Sequence, residues 1–278
     1  MRSKLVVSRA ILPVFFAFAA FPAAAQLLGT TARQSSKGSL KFLAYYQGAA
    51  DQNLNFAIDG SGVCTAAPPN GGVAFPCNSS GEVEAKGSGG AGMFKLTWQA
   101  AERFELYAHV GTGDYSIKVP STTVENTLSG DKLGLIFGAG LKASIVPDTI
   151  VNPAIALDFS MTRSHYNFNR ITPGGTPGIN NGFSQSLELM TYQVAVETSH
   201  LFVIDENWKL EPYGGVKWVR VQADLKNLVN GSHAGGQKDT GTPFLGLRVP
   251  AEDRIAFFAE ASFMDGLHYG GGLELRFK

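Results

Sequence analysis

Charge is scarce in this chain and evenly split: only 17% of the 278 residues are charged, with 23 Lys and Arg against 23 Asp and Glu. A nucleic-acid binder or a polybasic membrane-surface protein needs a basic excess, so both classes are excluded. Long apolar runs are also missing. After residue 25 none approaches the roughly eighteen residues of a helical membrane span. Cysteine is limited to Cys64 and Cys77, and no His or second Cys pair stands beside them, which argues against a zinc site. Helix signatures are thin, because caps followed by an apolar stripe are hard to find and the 33 glycines would weaken any helix. Apolar and aromatic residues are plentiful instead, at 44% hydrophobic with 19 Phe, and that excludes a disordered chain.

The first 25 residues read as an address. Arg2, Lys4 and Arg9 form a basic start, Ile11 to Phe21 an apolar stretch, and Ala23, Ala24 and Ala25 a small-residue cleavage site. Residues 1–25 are expected to be a cleaved signal peptide, with 26–37 a short periplasmic N-terminal tail. Pro13 and Pro22 leave the run too short for an anchor. Its removal takes three bases and no acid, so the mature chain carries a net charge of −3. In an exported chain Cys64 and Cys77 are expected to form a disulfide, worth about 3 kcal/mol for a loop of that size. Pro68, Pro69, Gly71, Gly72 and Pro76 mark that loop.

A period of two runs along the rest. In 254–264, Ile255, Phe257, Ala259, Ala261 and Phe263 share one face, and Arg254, Glu260 and Ser262 the other. In 103–110, Phe104, Leu106, Ala108 and Val110 oppose Glu105, Tyr107 and His109. Ten such strands can be drawn: 38–47, 89–99, 103–116, 131–145, 153–167, 185–201, 209–226, 241–249, 254–264 and 267–277. Connections alternate between long (48–88, 117–130, 168–184, 227–240) and short (100–102, 146–152, 202–208, 250–253), the last near Asp265 being the exception. An even strand number with long loops at one end and short turns at the other is the layout of a bacterial outer-membrane barrel. The apolar face stops at Arg163, Glu188 and Arg220, each time on the long-loop side, as expected where a strand leaves lipid. Tyr46, Trp218, Phe263 and Tyr269 would form the outer aromatic girdle, and Trp98, Phe104 and Phe277 the inner one.

The last strand carries alternating Tyr269, Leu273, Leu275 and Phe277 with Gly272 among them, and resembles the C-terminal signal read by the outer-membrane assembly machinery. Lys278 after the terminal aromatic departs from that pattern. Gly134-Leu-Ile-Phe-Gly-Ala-Gly-Leu141, Glu211-Pro-Tyr-Gly-Gly-Val216 and Phe258-Ala-Glu-Ala-Ser-Phe263 are similar to stretches of the small opacity/OmpA-like outer-membrane barrels. The expected fold is therefore all-β: a single transmembrane antiparallel up-and-down barrel over 38–278, with ten strands. Eight or twelve stay open, because 52–58 and 82–86 could pair as an extra hairpin.

Alternation points Lys41, Lys95, Lys132, Lys142, Lys217, Arg248, Arg254 and Arg276 inward, with Glu105, Asp158, Glu197, Glu211, Glu260 and Glu274. Buried charges persist when paired, so a salt-bridged network filling a narrow lumen is the first reading, and a hydrated, weakly selective channel the second. Ten strands leave little room for a wide pore. No enzyme is expected. The omptin surface proteases share the strand count, yet neither Asp-x-Asp nor Asp-x-His occurs here. Ser164-His165 and Ser199-His200 are strand neighbours that point to opposite faces, and Ser232-His233 falls in a loop. His109 and His268 could face the lumen near Glu105 or Glu274. Gly111-Thr-Gly113 and Gly138-Ala-Gly140 lack the helix of a dinucleotide loop, and read as relief of crowding in curved strands. No cofactor, metal site or nucleic-acid partner is expected. The expected partners are outer-membrane lipid, the assembly machinery and an unknown extracellular ligand or surface. A structural or surface-interaction role through the outer loops ranks first, a narrow channel second, and a barrel-mouth hydrolase last.

Overall fold

A computed structural model of the chain describes residues 28, 31–58, 81–120, 125–174, 184–205, 208–229, 233–252, 254–263 and 266–277. The chain enters through β1 (Leu40–Ile58), β2 (Gly81–Ala101) and β3 (Phe104–Val119). Next come β4 (Asn126–Ser129), β5 (Gly134–Val146), β6 (Ala154–Phe168) and β7 (Arg170–Pro173). Then follow β8 (Gln185–Ser199), β9 (Phe202–Asp205) and β10 (Trp208–Asn227). The last three are β11 (His233–Pro250), β12 (Ile255–Ser262) and β13 (Leu267–Phe277).

Neighbours pair in the order β2-β1-β13-β12-β11-β10-β8-β6-β5-β3, and β2 pairs with β3 to close the ring. The result is a closed antiparallel barrel of ten staves, with no helix among the described residues. Closure leaves the ten-stave ring without a free edge, so the backbone groups of the wall pair across strands apart from the bulges. Three short strands fall outside the count of staves. β4 pairs with the far end of β3 and β7 pairs with β4, so they prolong β5 and β6 at the long-loop end. β9 folds back on the start of β10 at the short-turn end.

The eight- and twelve-strand alternatives are overturned by the pairing of 52–58. Gln52↔Gly87 through Ile58↔Gly81 continue the β1–β2 ladder past a bulge between Ala49 and Gln52. Asp51 takes the extra position at φ 54°, a left-handed conformation that Asp tolerates better than most residues. β11 starts earlier than the alternation implies. Residues 233–240 lack apolar periodicity, and pair because β10 offers its hydrogen-bonding edge from Lys226↔His233 to Val219↔Thr240.

The interior is layered. Near the short-turn end, β10 turns Glu211 and Lys217 inward and Val216 and Trp218 outward. Two residues on, the polarity reverses: Val219, Val221, Ala223 and Leu225 are buried inside, and Arg220, Gln222, Asp224 and Lys226 take the outer face. β6 does the same, with Asp158 inside and Phe159 outside, then Tyr166 and Phe168 inside and Arg163 and His165 outside. The sequence reading ended the outward apolar face at Arg163, Glu188 and Arg220, and assigned no apolar interior beyond those points. In the fold, the long-loop half is an apolar-cored, polar-coated β-structure. Burying each of its aliphatic side chains contributes about 1.5–3 kcal/mol.

Candidate functional site

The lumen near the short-turn end holds the charges that alternation assigned to it. Lys95, Glu105, Lys142, Asp158, Glu197, Glu211, Lys217, Arg248, Glu260 and Glu274 are all buried inside the wall. Lys41 Nζ lies 2.5 Å from Glu105. Lys142 donates to Glu197 and sits 3.5 Å from Asp158. Lys217 reaches Glu260 at 3.2 Å. Arg248 joins Glu211 and Glu274, each at 2.8 Å, and Arg276 adds a contact to Glu274 at 2.7 Å. Charges taken from water at this depth hold only with such partners.

Tyr107, which alternation placed inside but gave no role, organises the centre of this network. Its hydroxyl donates to Asp158, and its ring lies under Lys95 Nζ, 3.7 Å from the centroid. Lys95 Nζ has no hydrogen-bond acceptor among the described residues, so this ring face is its principal contact. Gly140 makes the arrangement possible, since a Cβ there would stand 2.3 Å from Tyr107 Cζ. Gly138 plays the same part for His109, whose Nε2 meets Thr162 Oγ1 at 3.0 Å, away from Glu105. His268 is buried near the far end of β13.

Two inward assignments fail. Lys132 and Arg254 are exposed, because β5 and β12 begin only after them and the turns carry both side chains to water. Arg276 is half-buried at the rim. Ser164 is buried and His165 exposed, on opposite faces of β6. Ser199 is buried inside, while His200 leaves the wall and meets Asp148 at 2.9 Å through Nδ1. Cys64, Cys77 and Ser232 lie outside the described residues, as does the signal segment. Tyr269, Gly272, Leu273, Leu275 and Phe277 all stand in β13, which seals the barrel against β1 from Leu40↔Phe277 to Ala50↔Leu267.

Of the expected 26–37 tail, the described residues 28 and 31–35 lie against the inner wall instead of trailing from the rim. Leu28, Thr31 and Ala32 are buried. Lys142 Nζ donates to the Thr31 carbonyl at 3.4 Å, Arg33 N to Ser199 Oγ at 3.2 Å, and Ser35 N to Gln99 Oε1 at 3.2 Å. Ala32 packs with Ala154 and Ala156, and Leu28 joins the apolar cluster of the other half. The polar inner wall thus satisfies the backbone of a segment that its composition marked only as a tail.

Towards the long-loop end the lumen closes on apolar side chains. Leu43, Met93, Ile117, Ile136, Phe168, Leu187 and Val219 belong to one buried cluster, with Tyr115 and Tyr166 stacked at 5.0 Å. Outside the same level, Arg163 pairs with Glu188, and Arg220 grips Asp239 through both carboxylate oxygens at 2.7 and 2.9 Å. Arg220 also lies over the Trp218 ring, 5.1 Å from its centroid.

The autotransporter beta-domain family model matches residues 79–252, from just ahead of β2 into the turn after β11. Among solved structures, the chain is similar to the translocator domain of the autotransporter NalP from Neisseria meningitidis: 13% identity, TM-score 0.45, 88% of this chain and 90% of that one. It is similar to the outer-membrane protease OmpT from Escherichia coli at 9% identity and a TM-score of 0.49, covering 89% and 100% of the two chains. The beta domain of the Bordetella autotransporter BrkA gives 9% identity and a TM-score of 0.46, with 87% and 100% covered. No curated protein sequence matches. The family match supports the coarser part of the resemblance drawn from the sequence, that the barrel is of the outer-membrane kind. The chain belongs to the autotransporter beta-domain family of bacterial outer-membrane barrels.

Proposed function

We propose that this chain is a sealed outer-membrane barrel that holds a rigid contact platform above the lipid. The change of face polarity along the strands carries this reading. Beyond the apolar belt, the wall keeps a packed apolar core and turns ion-paired polar side chains outward. An apolar constriction dewets and blocks ions, so it does not suit a pore, whereas a packed interior fixes the loops that a binding surface needs. The long-loop end is then extracellular. The ladder of 52–58 with 81–87 lifts the longest loop clear of the belt, a Cys64–Cys77 disulfide staples it, and residues 1–25 deliver the chain as a cleaved signal. The ligand is an extracellular partner at these loops, and no catalytic role is assigned.

The test joins two measurements on refolded residues 26–278. Planar-bilayer recording should give no discrete conductance steps. Liposomes carrying the barrel should adhere to host-cell or bacterial surfaces, and lose adhesion when 52–87 is replaced by a tight turn in a barrel that still folds. Reproducible ion-selective steps would replace this reading with the narrow channel.

One observation favours a second reading, drawn from the family's name. Leu28 and residues 31–35 lie against the inner wall, as a chain held in a transporting barrel would. An epitope placed ahead of Leu28 that antibody reaches on intact cells would support passage through the lumen. Access only after the outer membrane is opened would exclude it.

A further inference from the structure

Four connections join staves at the short-turn end, and they fall into two kinds. The β2–β3 turn exposes Glu102 and Arg103, and the β11–β12 turn exposes Glu252 and Arg254, as expected beside water. The β5–β6 turn and the β8–β10 connection instead expose large apolar side chains. Ile150 is 97% and Val151 85% accessible, and the β9–β10 hairpin presents Phe202, Ile204 at 68% and Trp208 at 66%. These two connections are neighbours around the ring, because β6 pairs with β8. The contact of Asp148 with His200, at 2.9 Å, ties them together. An apolar patch of this kind on a solvated surface marks an interaction site.

We infer that this patch is a foot embedded in the periplasmic leaflet, so that the barrel engages lipid more deeply on its β5–β10 side than around β3. Continuity with the lipid-facing wall identifies the occupant. On β10, Trp208, Leu210, Val216 and Trp218 lie on one outward face. The ten residues from Trp208 to Trp218 cover about 25 Å at about 3.3 Å per residue and roughly 40° of tilt, the height of the apolar band of such barrels. Trp208 therefore stands at the inner girdle of a band whose outer girdle is Trp218. On β3 the outward apolar run ends at Phe104 and Val110, about 15 Å by the same measure, and Thr112 and Asp114 follow. A belt of unequal height is met by local thinning of the bilayer or by tilt of the barrel, and the foot sets which side goes deep. This inference is independent of what the loops bind.

Trp208 supplies the probe. With Trp98→Phe and Trp218→Phe, it becomes the sole tryptophan of a barrel refolded into phosphatidylcholine vesicles, folding being checked by heat-modifiable mobility. Blue-shifted emission is expected, with strong quenching by lipids brominated near the headgroup, weaker quenching by deeply brominated lipids and little by acrylamide. A second variant reads the same site without relying on these substitutions: Val151→Trp, in a background that also carries Trp208→Phe, should give the same profile. Quenching by acrylamide but not by brominated lipid would overturn the inference and leave the foot as a periplasmic docking surface. Protection from both quenchers, with crosslinking between barrels, would overturn it in favour of a second copy.

Discussion

Tyr115 on β3 stacks against Tyr166 on β6, ring centroids 5.0 Å apart and planes 25° from parallel, although β5 runs between their strands. Gly134 lets them meet, since a Cβ there would stand 2.3 Å from Tyr166 Cδ1. The Tyr115 hydroxyl also donates to Gln52 Oε1 at 3.1 Å, which ties β1 into the same lid. One stacked pair thus links the bulged start of the β1–β2 extension to the apolar core of the long-loop half.

Removing that ring should loosen the lid. Tyr166→Ala is expected to lower unfolding free energy by about 3–5 kcal/mol, the usual cost of deleting a buried aromatic. Tyr166→Phe should keep most of it, because the ring carries the stack. Urea unfolding of the refolded barrel, followed by tryptophan emission, measures both. An alanine variant within about 1 kcal/mol of the parent would mean that the lid is not packed.

The charged layer makes a different demand. Lys142 is buried between Glu197 and Asp158, so Lys142→Met leaves two carboxylates without their cation and should cost about 3–5 kcal/mol. Adding Glu197→Gln to Lys142→Met should recover part of the loss, because less uncompensated charge remains. The same unfolding curves test this. A negligible cost for Lys142→Met alone would point to a hydrated lumen and strengthen the channel reading.

Glycines should divide by the face they serve. Gly140→Ala drives a methyl into Tyr107 and the Phe159 carbonyl, and should destabilise by about 1–3 kcal/mol while breaking the Tyr107–Asp158 bond. Gly92→Ala meets nothing within 4 Å, and should be neutral or stabilising by up to about 1 kcal/mol. Heat-modifiable gel mobility against temperature ranks the two variants. Equal effects would contradict the geometry.

Acid should loosen the outer end of the β10–β11 pair. Hydrogen bonds from Arg220 hold the Asp239 carboxyl below its ordinary range. Because the folded value is the lower one, this support is complete above the ordinary carboxylate range and fades as pH falls through the folded value. Both side chains are exposed, so the effect is local and weakened by salt. Amide exchange around Val219–Val221, corrected for intrinsic rates, should accelerate below about pH 4, and Arg220→Gln should remove the step. A flat corrected profile in the parent would refute it.

Much of this architecture was readable in the residues. Alternation in 103–110 and 254–264 required strands with two unlike faces, and the spacing of long and short connections required an up-and-down order. Together these favoured ten staves and put Lys142, Glu197 and Arg248 inside. Lys132 and Arg254 were misassigned because parity continues through a turn on paper, while the backbone stops being a strand. Residues 233–240 were missed as strand because pairing there comes from the β10 edge and not from their own pattern.

The period of two and the sharing of faces were legible in the residues, because a pleated strand leaves no other choice, whereas the count of ten was settled against eight or twelve by the pairing of 52–58 with 81–87. Only the tertiary structure decided what each face meets. Ring closure put Tyr107 under Lys95 and Tyr115 on Tyr166, contacts between strands whose residues lie far apart in the chain. It also drew Leu28 and Ala32 into the lumen, where the polar inner wall bonds the backbone of the neighbouring Thr31, Arg33 and Ser35. The reversal of polarity at Trp218 and Val219 leaves the period intact, and its meaning appears only when the ends of neighbouring staves stand at the same height and exchange lipid for water.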